Sequence, residues 1–178
     1  MCRARVCQAR VCQALVSGKA PGMTDTTKTL PDVLDGMRFA MVATADGAGI
    51  WKSRPLALAD AQADVLSFLV SVDADWVTAL EDSGSPTTVT FSDPGQNTYV
   101  ALQGHARAVD DRSRTAQLWN AGAAAYFDGK DDPMVRVLDV TVGYGEYWDG
   151  PHGRLGSLVQ IASAGLGREI GSQGDIAV

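Results

Sequence analysis

MRFAMVATADGAGIWKSRPLALADAQADVLSFLVS, residues 37–71, is the stretch from which the fold of this chain follows. Runs rich in apolar and β-branched residues at 37–45, 49–58 and 65–70 are bounded by the turn clusters DGAG and ADAQAD, so the stretch predicts a three-stranded meander. The middle strand carries Lys52, Ser53 and Arg54, followed directly by Pro55. Proline lacks a backbone N–H, so this strand is expected to lie at an edge or to lose its pairing just past Arg54. Two cations and a hydroxyl in three residues suit an anionic ligand. They also suit an ordinary solvated edge strand, because exposed Lys and Arg are common.

Composition narrows the class. A chain of 178 residues, 46% hydrophobic and 20% charged, fits one globular domain with a sizeable core. No apolar run approaches the roughly 20 residues that cross a bilayer as a helix, so no membrane role is expected. The formal charge is −6. Arg3, Arg5, Arg10 and Lys19 all fall in the first 22 residues, where there is no acid, so the remainder is more acidic still. Nucleic acid is therefore not an expected partner, since phosphate binding needs a basic face.

Residues 1–22, MCRARVCQARVCQALVSGKAPG, differ in composition from the rest and hold all three cysteines. Their five-residue repeat, RVCQA, matches neither a heptad nor an amphipathic helix. Arg10, Gln8 and Gln13 interrupt the apolar run that a secretory signal needs, and Cys2, Cys7 and Cys12 lack both a fourth ligand and the CxxC spacing of a zinc site. The segment reads as a tail outside the native fold or without fixed structure, and Met23 as a more natural start. A barrel domain is expected over residues 23–155, followed by a Gly-rich tail at 156–178. Without cysteine beyond residue 12 the fold needs no disulfide, which fits a reducing cytoplasm.

Outside the meander the elements follow one another legibly. LPDVLDG reads as a short helix ended by Gly36, and residues 73–82 as a helix with Trp76, Val77 and Leu80 on one face. Strands are expected at 87–92 and 98–109, a second helix at 111–121, and final strands at 135–142 and 145–148. About seven strands and a few short helices give a mainly β (α+β) chain, an antiparallel sheet curled into a small barrel.

SRP on the second strand, SFLVS on the third, LQGHARAVDD, the helix ending in LWN, YFDGKDDP and EYWDGPHGRL occur in an order that resembles the flavin-binding split barrels related to pyridoxamine 5'-phosphate oxidase, and within them the general stress protein 26 group. The resemblance spans residues 30–155. It implies a six- to seven-stranded Greek-key barrel, a homodimer, and flavin mononucleotide (FMN) in each of two grooves at the subunit interface. On that resemblance Arg54 approaches the flavin phosphate, with Lys52, Ser53 and Pro55 along the groove. Leu69 and Val70, with Ser71 beside them, face the isoalloxazine ring. Tyr99 and Trp148 reach the cofactor across the interface, and Arg154 matches a retained arginine. A core-packing role for Trp148 stays open, since tryptophans are mostly packing residues.

Two departures shape the functional expectation. Relatives keep a cation at the start of the helix after the third strand; here Asp75 and Trp76 stand there, which predicts weaker flavin retention unless Lys52 or Arg154 of the partner subunit replaces that cation, the competing reading being that Trp76 stacks on a ring or packs the helix on the barrel. On the resemblance, the substrate-binding histidine and second arginine of the oxidase are replaced by Gly156 and Leu158, so oxidation of pyridoxamine phosphate is not expected. His105 and His152, the only histidines, suggest neither a metal site nor a general base, and no catalytic residue is assigned. The leading expectation is an FMN-dependent oxidoreductase acting on a small molecule. The alternatives are a binding protein for flavin, a deazaflavin or another planar anion, and a barrel that serves only in assembly.

Overall fold

Alternation of apolar residues decides which way each strand faces. The computed structural model describes residues 28–45, 49–82, 84–150 and 172–177. In β2 (Phe39–Ala45), Ala40, Val42 and Thr44 are buried while Phe39 and Met41 point outward. The other barrel strands are β3 (Trp51–Gln62), β4 (Val65–Ser71), β5 (Ser85–Asp93), β6 (Thr98–Val109) and β7 (Val135–Asp149). Antiparallel ladders connect them in the order β7-β4-β3-β2-β5-β6, and β6 pairs back to β7, closing a six-stranded barrel. Val42, Phe68, Val89, Leu102, Val140 and Tyr147, each at most 1% exposed, fill its interior. The fold is the mainly β split barrel expected from the sequence.

Among the described residues three α-helices sit on this frame. The short α1 (Leu30–Val33) buries Leu30 and Val33. After β4 the chain enters α2 (Asp75–Asp82), whose Val77 and Leu80 are buried in the core and whose Trp76 packs against it. On the far side α3 (Arg112–Leu118) is anchored by a part-buried network: Arg114 grips Asp139 of β7 with both terminal nitrogens and Ser67 of β4 at 3.0 Å. Ser67 Oγ in turn donates to Asp139 at 2.7 Å.

Some boundaries differ from the sequence expectation. The third element of the meander begins where expected, but β3 continues through the ADAQ segment, leaving a tight turn at Ala63 and Asp64 with Ala63 at φ 48°. The two strands expected at 135–142 and 145–148 are one strand with a bulge. Its register steps from Gln103 opposite Tyr144 to Gly104 opposite Val142, which leaves Gly143 as the extra residue. Beside the bulge the backbones approach so closely that a Cβ on Gly104 would lie 2.1 Å from the Thr141 carbonyl oxygen.

Within the segment expected as a Gly-rich tail, residues 172–177 form a strand, β8 (Ser172–Ala177). It pairs antiparallel with β7 and parallel with β1 (Lys28–Thr29). Ile176 is buried there against Gly145, where a Cβ would come within 3.1 Å of its Cδ1. Residues 1–22 and Arg154 lie outside the described residues.

Candidate functional site

The barrel opens along one seam. β3 pairs with β4 only from Leu58–Phe68 to Gln62–Val65, and a register shift between Leu58 and Asp60 marks where the pairing ends. Beyond it, residues 51–57 keep β2 as their sole ladder partner among the described residues, while residues 69–71 of β4 remain paired to β7. Leu58 N–H donates to the Arg38 carbonyl at 2.8 Å, so strand alternation turns the even-numbered amides of β3 toward β2 and the odd-numbered ones toward the seam. Pro55 therefore sits where a missing N–H breaks no ladder bond, the edge position that its sequence predicts. Leu69, Val70 and Ser71 border the seam from the other strand, with Val70 buried and Leu69 and Ser71 half-buried.

Alternation also separates the residues of the Lys52–Pro55 cluster. Lys52 and Arg54 are registered with Thr44 and Val42, which belong to the inner side, whereas Ser53 and Pro55 are registered with Ala43 and Met41 on the outer face. The cluster thus does not converge on one point. Arg54 is its half-buried member, and its Nη1 donates to Thr44 Oγ1 at 3.2 Å and to the Lys52 carbonyl at 3.1 Å. Its guanidinium carbon lies 4.5 Å from the centre of the Trp76 ring. No carboxylate among the described residues forms an ion pair with it. The other half-buried arginines differ: Arg114 grips Asp139, and Arg136 Nε donates to Glu81 at 2.6 Å.

Residue pattern alone missed the pairing of Arg54 with Trp76. The apolar pattern puts Trp76 on the buried face of its helix, but which strand cation it meets depends on how α2 packs back onto the strands. The usable signal was the indole at a position where an anion site calls for a cation.

Tyr99 and Trp148 are brought together as direct cross-strand neighbours on β6 and β7. Both are exposed, Tyr99 at 42% and Trp148 at 37%, so Trp148 is not a core residue of this chain. Tyr99 on β6 is three strand spacings from β3, and Trp148 lies 11 residues along β7 from Val137, the partner of Leu69 (148 − 137), so neither reaches the seam of its own barrel. They share the outer face with Phe39 and Met41, and the strands between carry small or uncharged outward residues such as Ala43, Thr88, Thr90 and Ala101.

A separate cavity of about 260 Å³ at the opposite end is lined by Asp32, Asp35, Asp93, Asp149 and Lys28 among others. Lys28 lies 3.3 Å from Asp149 and 4.8 Å from the centre of the Tyr147 ring. Its acidic lining repels an anion, so the seam is the better anion site despite its openness.

The sequence matches the profile of the family described as "Pyridoxamine 5'-phosphate oxidase like" over residues 25–170. The chain belongs to this family. Among solved structures, the pyridoxamine 5'-phosphate oxidase-like barrel here is similar to a protein assigned as general stress protein 26 from Jannaschia sp. CCS1, with 25% identity, a TM-score of 0.67, and coverage of 83% of this chain and 94% of that one. It is also similar to a general stress FMN/FAD binding protein from Xanthomonas citri, at 25% identity and TM-score 0.57, covering 66% of this chain and 83% of that one. A protein related to general stress protein 26 from Clostridium acetobutylicum, 20% identical with a TM-score of 0.58, covers 66% and 84% respectively and shares the fold. No curated protein matches the sequence. Among the described residues no helix is long and apolar enough to cross a membrane.

Proposed function

We propose that this protein binds a flavin, FMN in the first instance, in the seam between β3 and β4, with its phosphate at Arg54. The observation that carries this reading is Arg54 itself, a half-buried cation that meets a hydroxyl, a carbonyl and an indole but, among the described residues, no carboxylate. A half-buried guanidinium with two nitrogens left without an acceptor among the described residues suits an anion, and a phosphate would supply it. The seam amides of residues 51, 53 and 57 offer further donors, and the backbone at Leu69 and Val70, with the half-buried Leu69 side chain, a surface for a planar ring. Family membership and the FMN/FAD binding relative support the same cofactor.

The reading includes a twofold homodimer. In it the low-charge outer face carrying Met41, Tyr99 and Trp148 packs against its own copy, and Tyr99 and Trp148 complete the partner's seam, which they cannot reach in their own barrel. When bound, flavin supplies hydride and single-electron transfer, and the protein supplies orientation and shielding. We assign the protein as a flavin-dependent oxidoreductase acting on a small molecule. The part of the chain that forms the barrel contains no cysteine, in keeping with the reducing cytoplasm as its place of action.

Purified protein is expected to be yellow, or to become so on reconstitution. The mass of the cofactor released on denaturation identifies it as FMN, FAD or a deazaflavin, and a colourless protein that takes up none of them rejects the reading. Anaerobic reduction followed by mixing with quinone, nitroaromatic or heme acceptors tests turnover. Reoxidation no faster than by buffer alone would leave a flavin-storage protein instead.

A further inference from the structure

Arg54 is held at one end and open at the other. Its Nη1 hydrogens go to Thr44 Oγ1 at 3.2 Å and the Lys52 carbonyl at 3.1 Å, while Nε and Nη2 meet no acceptor among the described residues. These two nitrogens form the edge of a guanidinium that grips two oxygens of one phosphate. The guanidinium carbon lies over the Trp76 ring, 4.5 Å from its centre. Trp76 is half-buried and wedged against the core, so it is itself fixed. Asp75, its neighbour, is exposed and makes no ion pair with Arg54 among the described residues.

We propose that Trp76 is a positioning residue for oxyanion recognition: its indole holds Arg54 in one plane, so that a stacked arginine does the work for which a second cation would otherwise be needed. The proposal rests on the seam being the phosphate site of the flavin reading. It makes Trp76 a determinant of the preference for phosphorylated over unphosphorylated ligands. An ammonium at position 76 would remove the face on which Arg54 rests and place a like charge beside it.

The test compares FMN with riboflavin, which carries the same ring without the phosphate, so the ratio of their dissociation constants isolates the phosphate's contribution. Arg54→Gln is expected to lower FMN's advantage. Trp76→Met, which keeps bulk but loses the ring, should lower it on the order of tenfold, the scale of a desolvated cation–π contact. Trp76→Phe should retain most of the advantage, and the double variant Arg54→Gln/Trp76→Met should be no worse than Arg54→Gln alone. If Trp76→Met weakens both flavins in parallel, or Trp76→Lys increases FMN's advantage, the proposal is overturned while the flavin reading stands.

A second arm needs no flavin. Inorganic phosphate should raise the thermal midpoint of the wild type, less so in Trp76→Phe, and least in Trp76→Met and Arg54→Gln. Should Trp76→Met not fold, Trp76→Phe and the wild-type Arg54 Nε–H resonance, displaced by ring current and moved by phosphate, carry the same test. That pattern without flavin binding would reject the flavin reading alone, and no phosphate response in any form of the protein would overturn the proposal.

Discussion

Arg54 and Gly104 show two ways in which one residue can be decisive. Arg54→Ala is expected to weaken FMN binding by about 1.5–3 kcal/mol, the scale of a hydrogen bond to a charged group, as read by quenching of flavin fluorescence. Lys130, exposed in the loop before β7, is the suitable control. Arg112 is a poorer one, because it donates to the Asp132 and Pro133 carbonyls and pairs with Asp110, so its loss frees a loop. Gly104→Ala should cost several kcal/mol, about 3 or more, because its Cβ meets a backbone oxygen that cannot move aside without breaking the β6–β7 ladder. Urea unfolding measures it, and a loss under about 1 kcal/mol would mean that the bulge relaxes. The presence of a cation cluster at Lys52–Arg54 was legible in the sequence. Its division between two faces follows from alternation within β3. The partner of Arg54 was not legible, because 22 positions separate it from Trp76 (76 − 54) and only packing joins them.

At the scale of elements, local chemistry fixed most of what was read correctly. The helix expected after β6 is capped by Asp111, whose carboxylate accepts from Arg114 N–H at 3.0 Å and Ser113 Oγ at 2.7 Å. The Arg114 amide, then the Ser113 hydroxyl, hold its pKa below the ordinary aspartate value. A group with a depressed folded pKa stabilises the protein above its unfolded pKa, about 3.9, and loses that contribution as pH falls through the folded value. Thermal midpoints of wild type and Asp111→Ala should therefore differ at pH 7 and converge toward pH 2; an equal gap at both ends would mean that the charge plays no part. Two elements are not legible in the sequence, for physical reasons. Gly143 looks like a strand end in sequence, but a bulge absorbs it because β6 supplies partners on both sides. β8 carries Gly174 and Asp175 and has no apolar alternation to announce it, so it is a strand only because β7 and β1 pair with it.

For the whole molecule, the outer face of β2, β5, β6 and β7 governs assembly. Light scattering at micromolar concentration should report a dimer with an interface on the order of 2,000 Å². Met41→Arg, at a position 43% exposed in the single chain, should shift it to monomer and weaken flavin retention with it, whereas a monomeric wild type would sink the dimer proposal. Closure of the sheet has a different consequence. Lys28 pairs with Ile176, 148 positions away (176 − 28), so their meeting carries a loop-closure entropy that shorter-range ladders escape, unless the barrel has already formed between them. The parallel pair is thus expected to be absent from the folding transition state. Ile176→Ala, losing about 2 kcal/mol or more, should leave the refolding arm of a chevron plot unmoved and place nearly all of its effect on the unfolding arm. The last strand then acts as a latch: it does not hasten the native state's arrival, but it sets how long that state survives.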